Sequence, residues 1–136
     1  FSLSLSAFGN GDESIAYCFT DKIGYQKIGS YVGNSSADGT FVYTGFKPSW
    51  ILIKNSTDSS NNWNIYDNKR VGYNVDNNAL RANITNAEIT DDDIDILSNG
   101  FKCRRSSGSF NTGHTYIYLA IGQSLVGSNN VPCTAR

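Results

Sequence analysis

Aromatic and amide side chains crowd the stretch between residues 62 and 74, and they are the residues best suited to binding chemistry. The set comprises Asn62, Trp63, Tyr66, Tyr73 and Asn74. Aromatic rings can stack on sugars while amides hydrogen-bond the hydroxyls, as other concave sites combine apolar walls with a few polar groups. The set therefore predicts a sugar-binding surface. The competing interpretation is structural, because Trp63 alternates with Ile65 as residues on a core face do.

The acidic run Asp91, Asp92 and Asp93, followed by Asp95, is the second group with chemical potential. Carboxylate oxygens are ligands that Ca²⁺ prefers. The run lacks the glycine-centred loop of an EF-hand, and alternation along the following strand would separate Asp93 and Asp95 from Asp92. We therefore expect a solvated acidic turn, with no metal site and no bound cofactor.

Nucleophilic catalysis would depend on His114, the single histidine, which lies in a glycine-rich turn before an apolar run. A Ser-His-Asp or Cys-His site needs such an imidazole as its base, but a turn histidine is typical of an ordinary surface. Cys18, Cys103 and Cys133 are odd in number and widely spaced, unlike zinc ligands or a disulfide scaffold. Cys18 and Cys103 lie in predicted strands and are expected to be buried. We predict no catalytic residues and no enzymatic activity.

Charge and hydropathy exclude two classes of partner. Eleven Lys and Arg residues against twelve Asp and Glu give a formal net charge of -1, which offers no basic surface for nucleic acid. No apolar run approaches the roughly 18 residues that a membrane span needs. We therefore expect neither nucleic-acid binding nor membrane insertion.

Short runs rich in β-branched and aromatic residues recur about every ten residues, as in sandwiches and barrels. They predict strands over 1–7, 14–20, 27–32, 40–46, 49–54, 63–67, 80–84, 93–98, 101–105 and 115–122. The runs 49–54 and 115–121 are apolar on both alternating faces, which predicts central strands covered on both sides. The fold class expected is all-β, an antiparallel β-sandwich of jelly-roll or lectin-like type.

The Asn-Gly pair at 99–100 lies between two alternating runs. It predicts a two-residue type I′ hairpin, because both central residues of that turn need positive φ. In the predicted register Ile96 faces Cys103 on the apolar side. On the opposite side Asp95 faces Arg104, which predicts a cross-strand ion pair.

An internal echo predicts the domain organisation. Residues 8–19 resemble residues 110–121 at a constant offset of 102. We therefore expect residues 1–20 to be the closing hairpin of a preceding, related domain that is truncated, and residues 25–136 to be one β-sandwich domain at the C-terminal end of the parent protein. An isolated hairpin is marginal in water, so it should lean on the next domain or on a neighbouring chain.

An ordered series of motifs carries a family resemblance. The motifs are GSYVGNSSADGTFVYTGFKPSWILIK at 29–54, WNIYD at 63–67, LSNGFK at 97–102 and TYIYLA at 115–120, with IAYCF at 15–19 and NVPCTAR at 130–136. Together they resemble C-terminal domains in tail-fibre and other structural proteins of marine bacteriophages. The resemblance covers residues 15–136 and implies a β-sandwich in a virion protein, with no catalytic residues to carry over.

The resemblance implies a non-enzymatic structural domain of a virion appendage, a tail fibre or head fibre, that is assembled in the host cytoplasm and presents loops for host-surface attachment. Its partners would be other virion proteins and further copies of the chain, since such fibre proteins resemble homotrimers. Low charge and unprotected strand edges also favour oligomerisation, with interface aromatics expected from Phe8, Tyr17, Tyr25 and Tyr31. The alternative is a carbohydrate-binding, lectin-like module that recognises a host-surface glycan.

Overall fold

The computed structural model describes residues 17–90 and 94–123. Within these ranges the regular structure consists of β-strands, and no helix is present that could cross a lipid bilayer. The strands are β1 (Gln26–Val32), β2 (Phe41–Tyr43), β3 (Pro48–Asn55), β4 (Trp63–Asp67), β5 (Leu80–Arg81), β6 (Ile94–Leu97), β7 (Gly100–Cys103) and β8 (Thr115–Gly122).

The strands form two antiparallel sheets that pack against each other. One sheet has five strands in the order β1-β8-β3-β4-β5, and the other has three in the order β2-β7-β6. The prediction of an all-β antiparallel sandwich is confirmed. Strands β3 and β8 occupy central positions, as their apolar sequences predict. The three-stranded sheet covers one face of these strands, and no described strand lies over the other.

Aromatic rings fill the space between the two sheets. The Tyr31 ring stacks on Tyr116 with centroids 5.2 Å apart and meets Phe101 edge to face at 5.9 Å. Its hydroxyl donates to the Phe110 carbonyl at 2.7 Å, which satisfies the polar end of a buried ring. Tyr31 is therefore a core residue, and its assignment to an oligomer interface is corrected.

The β6–β7 hairpin differs from the predicted one in its register and in its turn type. In the observed register Leu97 is opposite Gly100 and Asp95 is opposite Lys102, two residues from the predicted pairing. Neither central residue of a 99–100 turn has a positive φ, so the turn is not type I′. The shift keeps the same side chains on the apolar face, and the ion pair survives diagonally, with Arg104 Nε 3.4 Å from Asp95 Oδ2.

The N-terminal predictions fall largely outside the described residues. These include the strand at 1–7, Phe8 and most of the hairpin over 1–20, as well as Cys133 near the other terminus. Residues 17–20 contain no strand, and Cys18 is exposed, so its expected burial in a strand is corrected. Tyr17 and Tyr25 are exposed. Cys103 is buried as predicted, and burial raises the pKa of its thiol to about 12.

The strand directions assign the loops to two ends of the sandwich. Loops 33–40, 56–62 and 104–114 lie at one end, which we call the Asn111 end after the residue that hydrogen-bonds from loop 104–114 to loop 33–40. Loop 44–47 and the first part of the 68–79 segment lie at the opposite end, which we call the Asp76 end, and the segment then runs along the edge of β6 back towards β5. Strand β4 connects the ends, running from Trp63 at the first to Asp67 at the second, a span of about 14 Å.

Candidate functional site

A polar pocket of about 80 Å³ opens at the Asp76 end. Residues that line it include Lys47, Asn68, Tyr73, Asn74, Asp76 and Ile96. Two of the predicted sugar-binding residues, Tyr73 and Asn74, are therefore brought to one site. At about 15 Å³ per water position, the volume suits a few waters or one substituent of a larger ligand.

The pocket wall is built where the chain runs along the edge of β6. The backbone N–H of Asp76 donates to the Ile94 carbonyl at 2.8 Å, and the Ile94 N–H donates back at 2.9 Å. Two residues earlier, the side-chain amide of Asn74 makes the two hydrogen bonds to β6 that the backbone of a neighbouring strand would otherwise make. Its Oδ1 accepts from the Ile96 N–H at 2.9 Å and its Nδ2 donates to the Ile96 carbonyl at 3.0 Å. Asn74 therefore positions the segment, and its amide is already engaged.

A charged network holds the rest of the loop in place. Arg70 Nε lies 2.9 Å from Asp67 Oδ2, and Arg70 Nη1 pairs with Glu88. Asn78 Nδ2 donates to the other Glu88 oxygen at 2.8 Å. These contacts tie the loop to the end of β4 and to the segment before β6. Tyr73 remains at the pocket with 74% of its surface exposed, so its ring is available to a ligand.

Two oxygens at this pocket lack hydrogen-bond partners among the described residues. They are Asp76 Oδ2, on a side chain that is only 3% exposed, and the buried Asn68 Oδ1. A buried acceptor without a donor costs free energy comparable to a lost hydrogen bond. The pocket is therefore suited to a group that supplies N–H or O–H donors, such as a hydroxyl or an amine.

Burial also changes the protonation of the site. Loss of solvation is the largest cause that raises the pKa of Asp76, to about 6. The Asn78 N–H opposes the shift, the nearby Asp67 and Glu88 add to it, and Arg70 reduces it. Above pH 6 the carboxylate presents a negative oxygen, whereas below pH 6 it carries a proton that it can donate.

Asp76→Asn is expected to stabilise the protein at pH 8 and to leave its stability nearly unchanged at pH 4. The pKa of Asp76 is higher in the folded protein than in the unfolded chain, so the stabilising contribution is complete below about pH 4 and is lost as the pH rises to about 6. The difference of about two pKa units corresponds to up to about 3 kcal/mol. Urea unfolding of both proteins from pH 4 to pH 8 measures the difference, and parallel pH curves would contradict the assignment.

The remaining predicted sugar-binding residues lie elsewhere. Tyr66 is completely buried and its ring meets Phe110 edge to face, so its assignment to a sugar surface is corrected. Asn62 and Trp63 lie at the opposite end of β4. Asn62 Oδ1 accepts from Asn83 Nδ2 at 2.9 Å, and the Trp63 N–H donates to Asn83 Oδ1 at the same distance.

The structural interpretation of Trp63 is corrected as well. Asn64 and Tyr66 point into the core, so Trp63 and Ile65 lie on the other face of the five-stranded sheet. The predicted alternation along β4 is present, but the face that meets the core carries Asn64 and Tyr66 rather than Trp63 and Ile65. Hydrophobicity alone does not show which face of β4 meets the core, because a buried asparagine stands between an outward tryptophan and an outward isoleucine.

His114 acts as a structural partner at the Asn111 end. Asn55 Oδ1 accepts from the backbone N–H groups of Thr57 and Asp58, both at 2.9 Å. Asn55 Nδ2 therefore faces His114 Nδ1, 3.0 Å away, and donates to it. The residues that the structure describes contain no group of three His, Cys, Asp or Glu side chains that could hold a metal ion. Asp91, Asp92 and Asp93, the metal candidates, lie outside those residues.

Sequence reasoning missed Asp76 and Asn68. Both lie in Asn- and Asp-rich loop sequence that resembles ordinary turn chemistry. What makes them unusual is burial, which comes from the edge of β6 and from the start of β3, where the Asn68 N–H donates to the Ser49 carbonyl. Both contacts join segments far apart in the chain, so no local pattern reveals them.

The chain matches one protein family over residues 1–124, the family described as a domain of unknown function, DUF7483. The chain belongs to this family. No curated protein and no solved structure matches the chain. The matched range includes the described strands and the residues that line the pocket.

Proposed function

We propose that this chain is a non-enzymatic structural domain of a phage virion appendage, a tail fibre or head fibre, that presents its loops for attachment to a host surface. The observation that supports the proposal is the two-sheet antiparallel sandwich, because the motif resemblance implies this fold. On this proposal the domain resides in the virion and contacts other virion proteins.

The construction of the loops also suits exposure outside a cell. Amide side chains hold the loops at the Asn111 end, with Asn111 Nδ2 donating to the Ser36 carbonyl of another loop at 2.7 Å and to the Arg105 carbonyl of its own loop at 3.1 Å. Asn55 Nδ2 donates to the Gly108 carbonyl at 3.0 Å. Loops held by neutral amides keep their shape when salt or pH changes, unlike loops held by exposed ion pairs.

Mass spectrometry of purified virions from the phage that encodes this chain tests the proposal. We expect peptides of the chain in intact particles at a copy number typical of an appendage, and labelled antibodies should decorate a fibre in electron micrographs. Particles that lack the chain after extensive purification would contradict the proposal. A separate lysate sample, in which the chain must be found, controls for its expression.

A second candidate function, carbohydrate binding, is favoured by the pocket at the Asp76 end. The exposed Tyr73 ring offers a stacking surface, while Asp76 Oδ2 and Asn68 Oδ1 offer acceptors. The volume of about 80 Å³ admits a substituent rather than a whole sugar ring. The ligand class on this proposal is a glycan whose hydroxymethyl, hydroxyl or amino substituent enters the pocket while its ring lies on Tyr73.

Glycan-array binding, followed by calorimetry on the best ligand, tests this candidate. Tyr73→Ala is expected to weaken binding by about fivefold or more, since stacked rings contribute on the order of 1 kcal/mol. Phe41→Ala, an aromatic substitution at the start of β2 towards the Asn111 end, is the matched control and should bind as the unchanged protein does. An array without any ligand, or equal losses in both variants, would contradict a site at this pocket.

A further inference from the structure

The outward face of the five-stranded sheet is apolar across its full width. The side chains that alternate away from the core form a row through all five strands, and the row comprises Ile28, Leu119, Leu52, Ile65 and Leu80. We call this surface, together with the neighbouring outward residues of the same strands, the outer face. The three-stranded sheet packs on the opposite side, and no described strand lies over the outer face.

The rows on either side continue the apolar surface. In the row on one side, Trp50 of β3 is opposite Ile121 of β8. In the row on the other side, Lys54 of β3 lies between Ile117 of β8 and Trp63 of β4. Ile117 is 42% exposed and Trp63 is 38% exposed. Both tryptophans of the chain therefore lie on the outer face.

The charged groups of the outer face are engaged within the chain. Lys54 Nζ donates to the carbonyls of Asn55 at 2.9 Å and Asn61 at 2.8 Å, which turns its charge into the adjacent loop. Asp67, at the other end of the sheet, pairs with Arg70. The middle of the face consequently presents hydrocarbon and indole surface.

The outward face of the three-stranded sheet is mixed. It carries the exposed rings of Phe41 and Tyr43 together with the charged pairs Lys102 with Asp38 and Arg104 with Asp95. Contiguous apolar surface of the kind on the five-stranded sheet is rare in proteins that remain monomeric, and it marks an interaction site. Charged pairs therefore interrupt the aromatic surface of the three-stranded sheet, whereas the central row across the five-stranded sheet is apolar throughout.

We propose that a second copy of this chain packs on the outer face, sheet against sheet. Five strands about 4.8 Å apart and up to eight residues long give a flat surface about 24 Å wide, with a projected area of about 500 Å². The corrugated side-chain surface exceeds its projection and approaches the roughly 800 Å² that each partner buries in a stable interface. An equally broad, flat and apolar surface is needed to cover it, and another copy supplies one.

The remaining properties of the chain agree with a second copy as the occupant. A net charge of -1 produces little repulsion between copies. The proposed interface consists of outward residues of β3, β4 and β8 and does not include Tyr31, which is buried. This inference goes beyond the proposed virion role, since self-association is measured on the isolated chain.

Sedimentation of the full chain, 14.9 kDa per copy, tests the proposal and counts the copies. We expect an oligomer at micromolar concentration. Ile117→Lys places a charge in the contact and is expected to weaken association by about 100-fold or more. Tyr43→Lys, at an exposed position on the three-stranded sheet, is the matched control and should leave association unchanged. A chain that is still monomeric at about 100 micromolar, where an interface with a micromolar Kd would be largely formed, would overturn the proposal.

Tryptophan fluorescence of the unsubstituted chain provides a test that does not depend on any variant folding. Because Trp50 and Trp63 both lie on the outer face, dilution through the dissociation range should shift their emission to longer wavelength together with the fall in mass. A monomer with red-shifted emission would leave the face uncovered, and a monomer with blue-shifted emission would assign the face to another segment of the same chain. Either result would overturn docking of a second copy.

Discussion

Gly100→Ala is expected to lower the free energy of unfolding by more than about 3 kcal/mol, an effect in the severe tail for single substitutions. A Cβ atom at this position would lie 2.1 Å from the Val42 carbonyl oxygen and 3.1 Å from the Phe41 ring. The oxygen belongs to the backbone of β2, which pairs with β7 through Val42 and Phe101. Relief of the clash therefore requires the three-stranded sheet to open.

Gly113→Ala is the matched control for this substitution. The nearest atom to a Cβ at Gly113 is Ser35 Oγ at 3.9 Å, and the glycine has no positive φ. We expect its stability to stay within about 0.5 kcal/mol of the unchanged protein. Urea unfolding followed by circular dichroism measures both, at a single protein concentration so that self-association is constant. A loss below about 1 kcal/mol for Gly100→Ala would contradict the close approach of β2.

Asn111→Ala is expected to cost about 3 kcal/mol, because it removes a fully buried amide and leaves several backbone groups without partners. Asn111 Oδ1 accepts from the Asn34 N–H at 3.2 Å, and its Nδ2 hydrogens are shared among Asn34 Oδ1, the Ser36 carbonyl and the Arg105 carbonyl. These bonds connect the β1–β2 loop to the β7–β8 loop. Their loss should also increase hydrogen exchange in residues 34–38 while the sheets stay protected.

Asn111→Asp separates hydrogen bonding from packing at the same position. The aspartate has nearly the volume of asparagine but offers no amide hydrogens to the three acceptors, so it should destabilise at least as much as Asn111→Ala at neutral pH. If the alanine effect came from a cavity alone, the aspartate would be tolerated. Asn86→Ala, in an exposed loop, is the control and should change stability by no more than about 0.5 kcal/mol.

The sequence pattern located most of the strands that the structure describes. The bounds predicted for β4 and β8 match Trp63–Asp67 and Thr115–Gly122, and the prediction for β3 differs by one residue at each end. These runs combine β-branched and aromatic residues with polar residues at both limits, so the local signal and the tertiary structure agree. The predictions were less successful elsewhere: β5 has two residues where five were expected, β2 has three where seven were, and residues 17–20 of the strand predicted over 14–20 contain no strand.

The candidate site could be predicted only in part. The aromatic and amide residues predict a binding site within residues 62–74, and two of them, Tyr73 and Asn74, line the pocket. Their separation from Trp63 depends on the direction of β4, and the burial of Tyr66 depends on which face of that strand meets the other sheet. Residue type alone does not encode either property.

The sequence by itself determined that this protein is built from antiparallel strands in two layers and that β3 and β8 lie centrally. It did so because alternation, β-branched content and turn residues act over a few neighbouring positions. Only the tertiary structure decided that Leu97 pairs with Gly100, because the Val42 carbonyl of β2 comes so close to residue 100 that only a glycine fits there. Only the tertiary structure decided that Asp76 is buried, because it packs beside β6. The tertiary structure also placed one apolar sheet face outward. The hydrophobic effect favours covering such a surface, but it does not specify which partner covers it.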